Sequence, residues 1–194
     1  GSAQLCLAGK NYAKLFRKRT TDFVKNDHVG YFKWDGIQFS CSEPDHGHPV
    51  GIHSRRAVME SVIDKCKAVR AINPDVYLNI TSGTWLSPWW VQYANQIWMD
   101  AADYAFADVP SMTRRDNAMT YRDYALWDDE HIRKSWFPVS NLMIHGIIKG
   151  RLENISKEGE SLETFTNNAV LYFGRGISMW ELYISPDILT EGEW

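Results

Sequence analysis

Strand-like and helix-like stretches alternate along this chain with short connections, which predicts an α/β fold: a parallel sheet covered by helices, either doubly wound or closed into a barrel. Two further observations narrow the choice. The first strand-to-helix turn lacks the G-x-G-x-x-G of dinucleotide binders and no G-K-[ST] loop follows any strand, so cofactor-binding doubly wound folds are disfavoured. With 194 residues and 44% hydrophobic content the chain suffices for one sizeable core and is short for two, so residues 1–194 are expected to form a single domain.

Residues 10–27 carry Tyr12, Leu15, Phe16, Phe23 and Val24 at helical spacing, and residues 29–34 follow as a strand. A polar loop of Ser, Pro, His and Gly spans residues 40–53. Residues 54–72 read as a helix with Val58, Val62, Ile63, Cys66 and Val69 on one side. Asn73-Pro74 ends it, since the residue before proline is pushed out of helical conformation. Residues 76–80 form the next strand, 88–94 a short helix and 96–99 another strand, whereas residues 104–134, rich in Asp and Arg, do not divide cleanly. Residues 141–144 are strand-like, 161–173 helical with Ser161 as N-cap, and 177–182 strand-like. Residues 4–7 complete a set of six strand candidates.

A net charge of -3 with scattered Lys and Arg gives no basic footprint, which disfavours nucleic acid as a partner. No apolar run reaches the roughly 18 residues of a membrane span. Gly1-Ser2 reads as the remnant of an expression tag. Cys6, Cys41 and Cys66 are odd in number and lack C-x-x-C spacing, so neither a zinc site nor a disulfide framework is indicated. His46, His48 and His53 have no Cys or carboxylate at a defined helical spacing; no metal is expected there, and the loop is placed on the substrate side. The nine tryptophans stand out, several of them at strand ends and in polar loops: Trp34, Trp85, Trp89, Trp90, Trp98 and Trp180. Sugars stack their apolar faces on such rings, which offer large area at little entropic cost.

In parallel α/β folds the site lies at the carboxyl ends of the strands. Those positions hold Lys33-Trp34-Asp35, Thr81-Ser82, Asp100 with Asp103, His145 and Glu181, a carboxylate-rich set. Glycoside hydrolysis needs two carboxyl groups, one to attack the anomeric centre and one to protonate the leaving oxygen. Alternatively, Asp35 and Asp103 are loop caps, His145 is a hydrogen-bonded structural histidine and Glu181 pairs with an arginine.

The stretch Tyr31-Phe32-Lys33-Trp34-Asp35-Gly36 resembles the nucleophile strand of the α-galactosidase-like glycoside hydrolases of clan D, family 36 in particular. Leu7-Ala8-Gly9, Asn73 to Leu78 with Thr81-Ser82-Gly83, and Gln96-Ile97-Trp98 are similar to neighbouring parts of that family. The resemblance implies a (β/α)8 barrel, a retaining mechanism on terminal α-galactosides or related α-linked sugars, and no metal or organic cofactor. It makes Asp35 the nucleophile and Asp103 the acid/base, with Asp100 as fallback, because Trp98 to Asp103 departs from the family's acid/base pattern. It gives sugar contacts to Lys33 and to the loop Thr81, Ser82 and Gly83; Trp34, Trp85, Trp98, Asp100, His145 and Glu181 are further candidate substrate contacts from their strand-end and loop positions. A carbohydrate-binding relative without catalysis is the alternative. Because such a barrel takes about 250 residues and its nucleophile strand is ordinarily the fourth, the expectation is an incomplete barrel of about six βα units, its first two strands missing. Self-association would cover the open edge.

Overall fold

Lys10–Asn26 forms helix α1 and Arg55–Arg70 helix α2, close to the stretches their apolar spacing indicated. The computed structural model describes residues 5–81, 85–99, 113–152, 155 and 160–194. They divide into two compact units, residues 1–85 with 89–98 and residues 86–88 with 99–194.

In the first unit, α1 stops where His28 turns left-handed at φ 54°. The amides of Asp27 and Val29 both donate to the Phe23 carbonyl, at 3.1 Å each, which satisfies the helix end. Strands β1 (Tyr31–Trp34), β2 (Tyr77–Ile80) and β3 (Gln96–Trp98) pair in parallel, with Lys33 opposite Asn79 and Asn79 opposite Gln96. Alternation then divides the sheet into two faces. Phe32, Trp34, Leu78, Ile80 and Ile97 lie on one, and Trp34 meets Phe16 of α1 edge-on at 5.3 Å. Tyr31, Lys33, Tyr77, Asn79 and Gln96 lie on the other, where Tyr31 stacks on Tyr77 at 5.9 Å and accepts from Asn79 Nδ2 at 3.2 Å. Val58, Val62, Cys66 and Val69 of α2 are buried at four- and three-residue spacing, as expected of a core-facing stripe.

In the second unit, Arg114–Trp127 forms α3, capped by Thr113 on the Asp116 amide and prolonged by a π-helical turn at Asp128–Ile132. Leu162–Gly174 forms α4, whose N-cap Ser161 accepts from the Thr164 amide at 3.1 Å. Strands β4 (Leu142–Met143), β5 (His145–Lys149) and β6 (Glu181–Ile184) complete the set, with β5 and β6 parallel and bulged between His145 and Ile147. Gly146 sits in that bulge, where a Cβ would come within 2.2 Å of the Glu181 carbonyl oxygen.

The expected barrel is overturned. The described strands form two sheets, one of four strands and one of two, in a small α/β structure with four described α-helices. Only Ile144 separates β4 from β5, which leaves no room for a crossover helix. The described part of the β2–β3 connection carries a 3-10 turn, Pro88–Gln92, in place of a helix. Leu5 to Leu7 form no strand, and residues 177–180 lead into β6 without joining it. Six apolar runs of strand length predict six equivalent strands, but run length alone does not show whether successive strands are joined by helices.

Candidate functional site

Three of the expected residues stand at the carboxyl ends of the paired strands of the first unit. The register sets Trp34 beside Ile80 and Ile80 beside Ile97, and Asp35, Thr81 and Trp98 are the next residues along the three segments. The Thr81 amide donates to the Trp34 carbonyl at 3.0 Å and its hydroxyl to the same oxygen at 3.4 Å, which fixes the strand ends side by side. Asp35 is exposed there, and one carboxylate oxygen accepts from the Gly36 amide at 2.7 Å. Gly36 takes φ +67°, so the chain can turn sharply away directly after the carboxylate.

Lys33 is half-buried, two residues before Asp35 on the polar face. Trp34 is placed differently: its indole is buried against Phe16, and its buried Nε1 has no hydrogen-bond partner among the described residues. Its role in this arrangement is packing. Trp85, by contrast, is 51% exposed on an aromatic cluster. Its ring lies 5.4 Å from that of fully buried Trp90, which also meets Phe39 at 5.9 Å and Trp89 at 5.0 Å. A fixed, half-open indole of this kind suits stacking against a sugar face.

His145 and Glu181 belong to the second unit. They are register partners on β5 and β6, joined from Nδ1 to Oε2 at 2.9 Å, with side chains 12% and 11% exposed. Tyr183 meets the imidazole edge-on at 5.2 Å. An open cavity of about 570 Å³ in the same unit is lined by Glu130, His131, Lys134, Trp136 and Phe137, and Trp136 is 85% exposed. Ser82, Gly83, Asp100 and Asp103 lie outside the described residues.

Two further clusters form among residues that the sequence reading does not bring together. In the second unit Arg115, fully buried, pairs with Glu160, and Lys149 bridges Glu160 at 3.3 Å and Glu193. Burial lowers the Arg115 guanidinium to about 10, which leaves it charged at neutral pH. In the first unit Cys6, Cys41, His46 and His48 converge, each offering one ligand atom within 4.8 Å of all the others. Burial, with Cys41 nearby, pushes the Cys6 thiol above its ordinary value. These four residues could hold a metal ion. The signal that could have found them is the short interval from Cys41 to His46 and His48; Cys6 comes from 35 positions further upstream and is joined to them only by the fold.

No family model matches the chain, and neither does any curated protein or solved structure at a significant level.

Proposed function

We propose that the chain carries the nucleophile of a retaining glycoside hydrolase acting on terminal α-galactosides or related α-linked sugars. The observation that carries this reading is the placement of Asp35, an exposed carboxylate directly after β1, next to the strand end where the Thr81 amide donates to the Trp34 carbonyl. Its neighbours suit the chemistry. Lys33 two residues earlier offers a cation to sugar hydroxyls, and half-open Trp85 offers a stacking surface in the same unit. The resemblance of Tyr31 to Gly36 to the clan D nucleophile strand names the reaction.

In that reaction the Asp35 carboxylate attacks the anomeric carbon while Asp103, or Asp100 in its place, protonates the departing glycosidic oxygen. The same acid, now a carboxylate, takes a proton from water, which displaces Asp35 and restores the original anomeric configuration. Retention requires the two carboxyl groups to be about 5–5.5 Å apart.

A second reading is favoured by one observation: Trp98-Met99-Asp100-Ala101-Ala102-Asp103 does not keep the family's acid/base pattern, as a sugar-binding relative without catalysis would not. Turnover of an aryl α-galactoside, compared between the wild-type chain and Asp35→Ala, tests the first reading. A fluorosugar that traps the glycosyl-enzyme should add its mass to the peptide containing Asp35. Turnover unchanged in Asp35→Ala would overturn the assignment, and galactose binding by calorimetry without turnover or trapping would favour the second reading.

A further inference from the structure

We propose that Cys6, Cys41, His46 and His48 form a four-ligand zinc site that ties the segment before α1 to the loop leaving β1. Cys6 Sγ lies 3.3 Å from His48 Nε2, and Cys41 Sγ lies 3.3 Å from His46 Nδ1. A tetrahedral zinc with Zn–S near 2.3 Å and Zn–N near 2.0–2.1 Å sets its sulfur and nitrogen ligands about 3.6 Å apart and its two sulfurs about 3.8 Å apart. Four ligand atoms all within 4.8 Å of one another therefore need only small side-chain rotations to close on one ion.

The outer partners fit the same assignment. His48 Nδ1 lies 2.8 Å from the Pro49 carbonyl; a proton donated there leaves the Nε2 lone pair facing Cys6. His46 Nε2 lies 3.9 Å from the Asp45 carboxylate, while Nδ1 faces Cys41. A metal-bound imidazole characteristically donates its other N–H to a carbonyl or carboxylate, as His48 can to Pro49; Asp45 lies beyond hydrogen-bond reach of His46 and adds only a nearby negative charge.

The backbone is shaped around the cluster. A Cβ on Gly9 would stand 3.3 Å from His46 Nδ1 and 3.2 Å from the Cys6 carbonyl oxygen, so a bare glycine leaves room for the imidazole. Gly47 at φ +82° reverses the chain between the two histidines. The loop is closed behind them by the Gly51 amide on the Cys41 carbonyl at 2.8 Å and by the Cys41 amide on Ser54 Oγ at 2.7 Å. The Cys6 segment is held to α2 by Ser61 Oγ and Lys65 Nζ, both donating to the Leu7 carbonyl at 2.5 and 3.3 Å.

Two thiolates and two imidazoles are a borderline-soft, tetrahedral donor set that selects zinc over calcium or magnesium. On binding, both thiols release their protons to solvent, and the two thiolates balance the two positive charges of the ion. All four positions are taken by protein, so the site is structural and offers no open position for substrate. Cys6 is 9% exposed and the other three ligands are half-buried, which leaves the ion a path in.

The test is a titration of the full chain, reduced and chelator-treated, with zinc chloride and then with cobalt chloride. The expected result is one zinc retained per chain through desalting, a rise in melting temperature on zinc addition, and with cobalt the intense visible bands of a tetrahedral ion plus thiolate charge transfer. Cys41→Ser and His46→Ala should lose the retained ion, whereas Cys66→Ser should keep it. The wild-type cobalt spectrum decides the matter even if a ligand variant fails to fold. Weak octahedral cobalt absorption, no ion retained by reduced wild-type protein, or retention undiminished in a folded Cys41→Ser or His46→Ala chain would overturn the site.

Discussion

The Arg115 guanidinium, fully buried in the second unit, rests between Glu160, Asn168 Oδ1 at 2.8 Å and the Ile148 carbonyl at 3.4 Å, with the Phe165 ring 5.3 Å away. Removing it leaves the Glu160 carboxylate in the interior without its guanidinium, Lys149 lying 3.3 Å away. Arg115→Ala should therefore cost about 3–5 kcal/mol, the range for breaking a buried pair from one side. Urea unfolding followed by circular dichroism measures it; a loss below about 1 kcal/mol would mean that the pair is not buried as described.

Acid should unfold the protein partly through Glu193. Burial raises this carboxyl, but the Lys149 ammonium, the Thr190 amide and the Thr190 hydroxyl together outweigh it and hold the group below its ordinary value of 4.5. A depressed folded value contributes stability in full above 4.5, and that stability is lost as pH falls through the folded value. Melting temperature should fall below pH 4.5, and Glu193→Gln, already less stable at pH 7, should fall less steeply over that window. An identical pH slope in the two proteins would refute the link.

The three cysteines should separate by reactivity. Cys66 is 1% exposed inside α2, and burial pushes its thiol up to about 12, so almost no thiolate exists at pH 8. Mass spectrometry after brief alkylation of the folded, metal-free chain should find Cys41 modified and Cys66 untouched, with all three modified in denaturant. Early labelling of Cys66 would contradict its placement.

Gly146→Ala should destabilise the β5–β6 pair. The added methyl meets backbone, the Glu181 carbonyl oxygen at 2.2 Å, which cannot swing aside as a side chain would. A cost of about 1–3 kcal/mol is expected from overpacking of this kind, measured by thermal or urea unfolding. A variant as stable as wild type would show that the bulge relaxes freely.

Local elements were legible in the sequence wherever spacing or a cap determines them. The stripe of Val58, Val62, Cys66 and Val69 marked α2, and Ser161 marked the start of α4, because both depend on neighbours within a turn or two. The placement of Asp35 after β1 followed from the same local logic. What escaped depends on distant pairings. Whether residues 142–149 make one strand or two is decided at Ile144, and the partner of His145 lies 36 positions away at Glu181. Arg115 reads as a surface residue in a charged stretch until Glu160 and Lys149 are brought to it, and Cys6 reads as a lone thiol until residues 41–48 fold back over it.

The narrow space at Gly9 has a consequence for descent. The room it leaves is shared between His46 and the Cys6 carbonyl oxygen, which the turn into α1 uses with or without an ion. Among related sequences, glycine at this position should therefore accompany the two cysteines and the two histidines wherever all four occur, while glycine alone does not mark the site, a pattern that an alignment of relatives would display without any experiment on the protein.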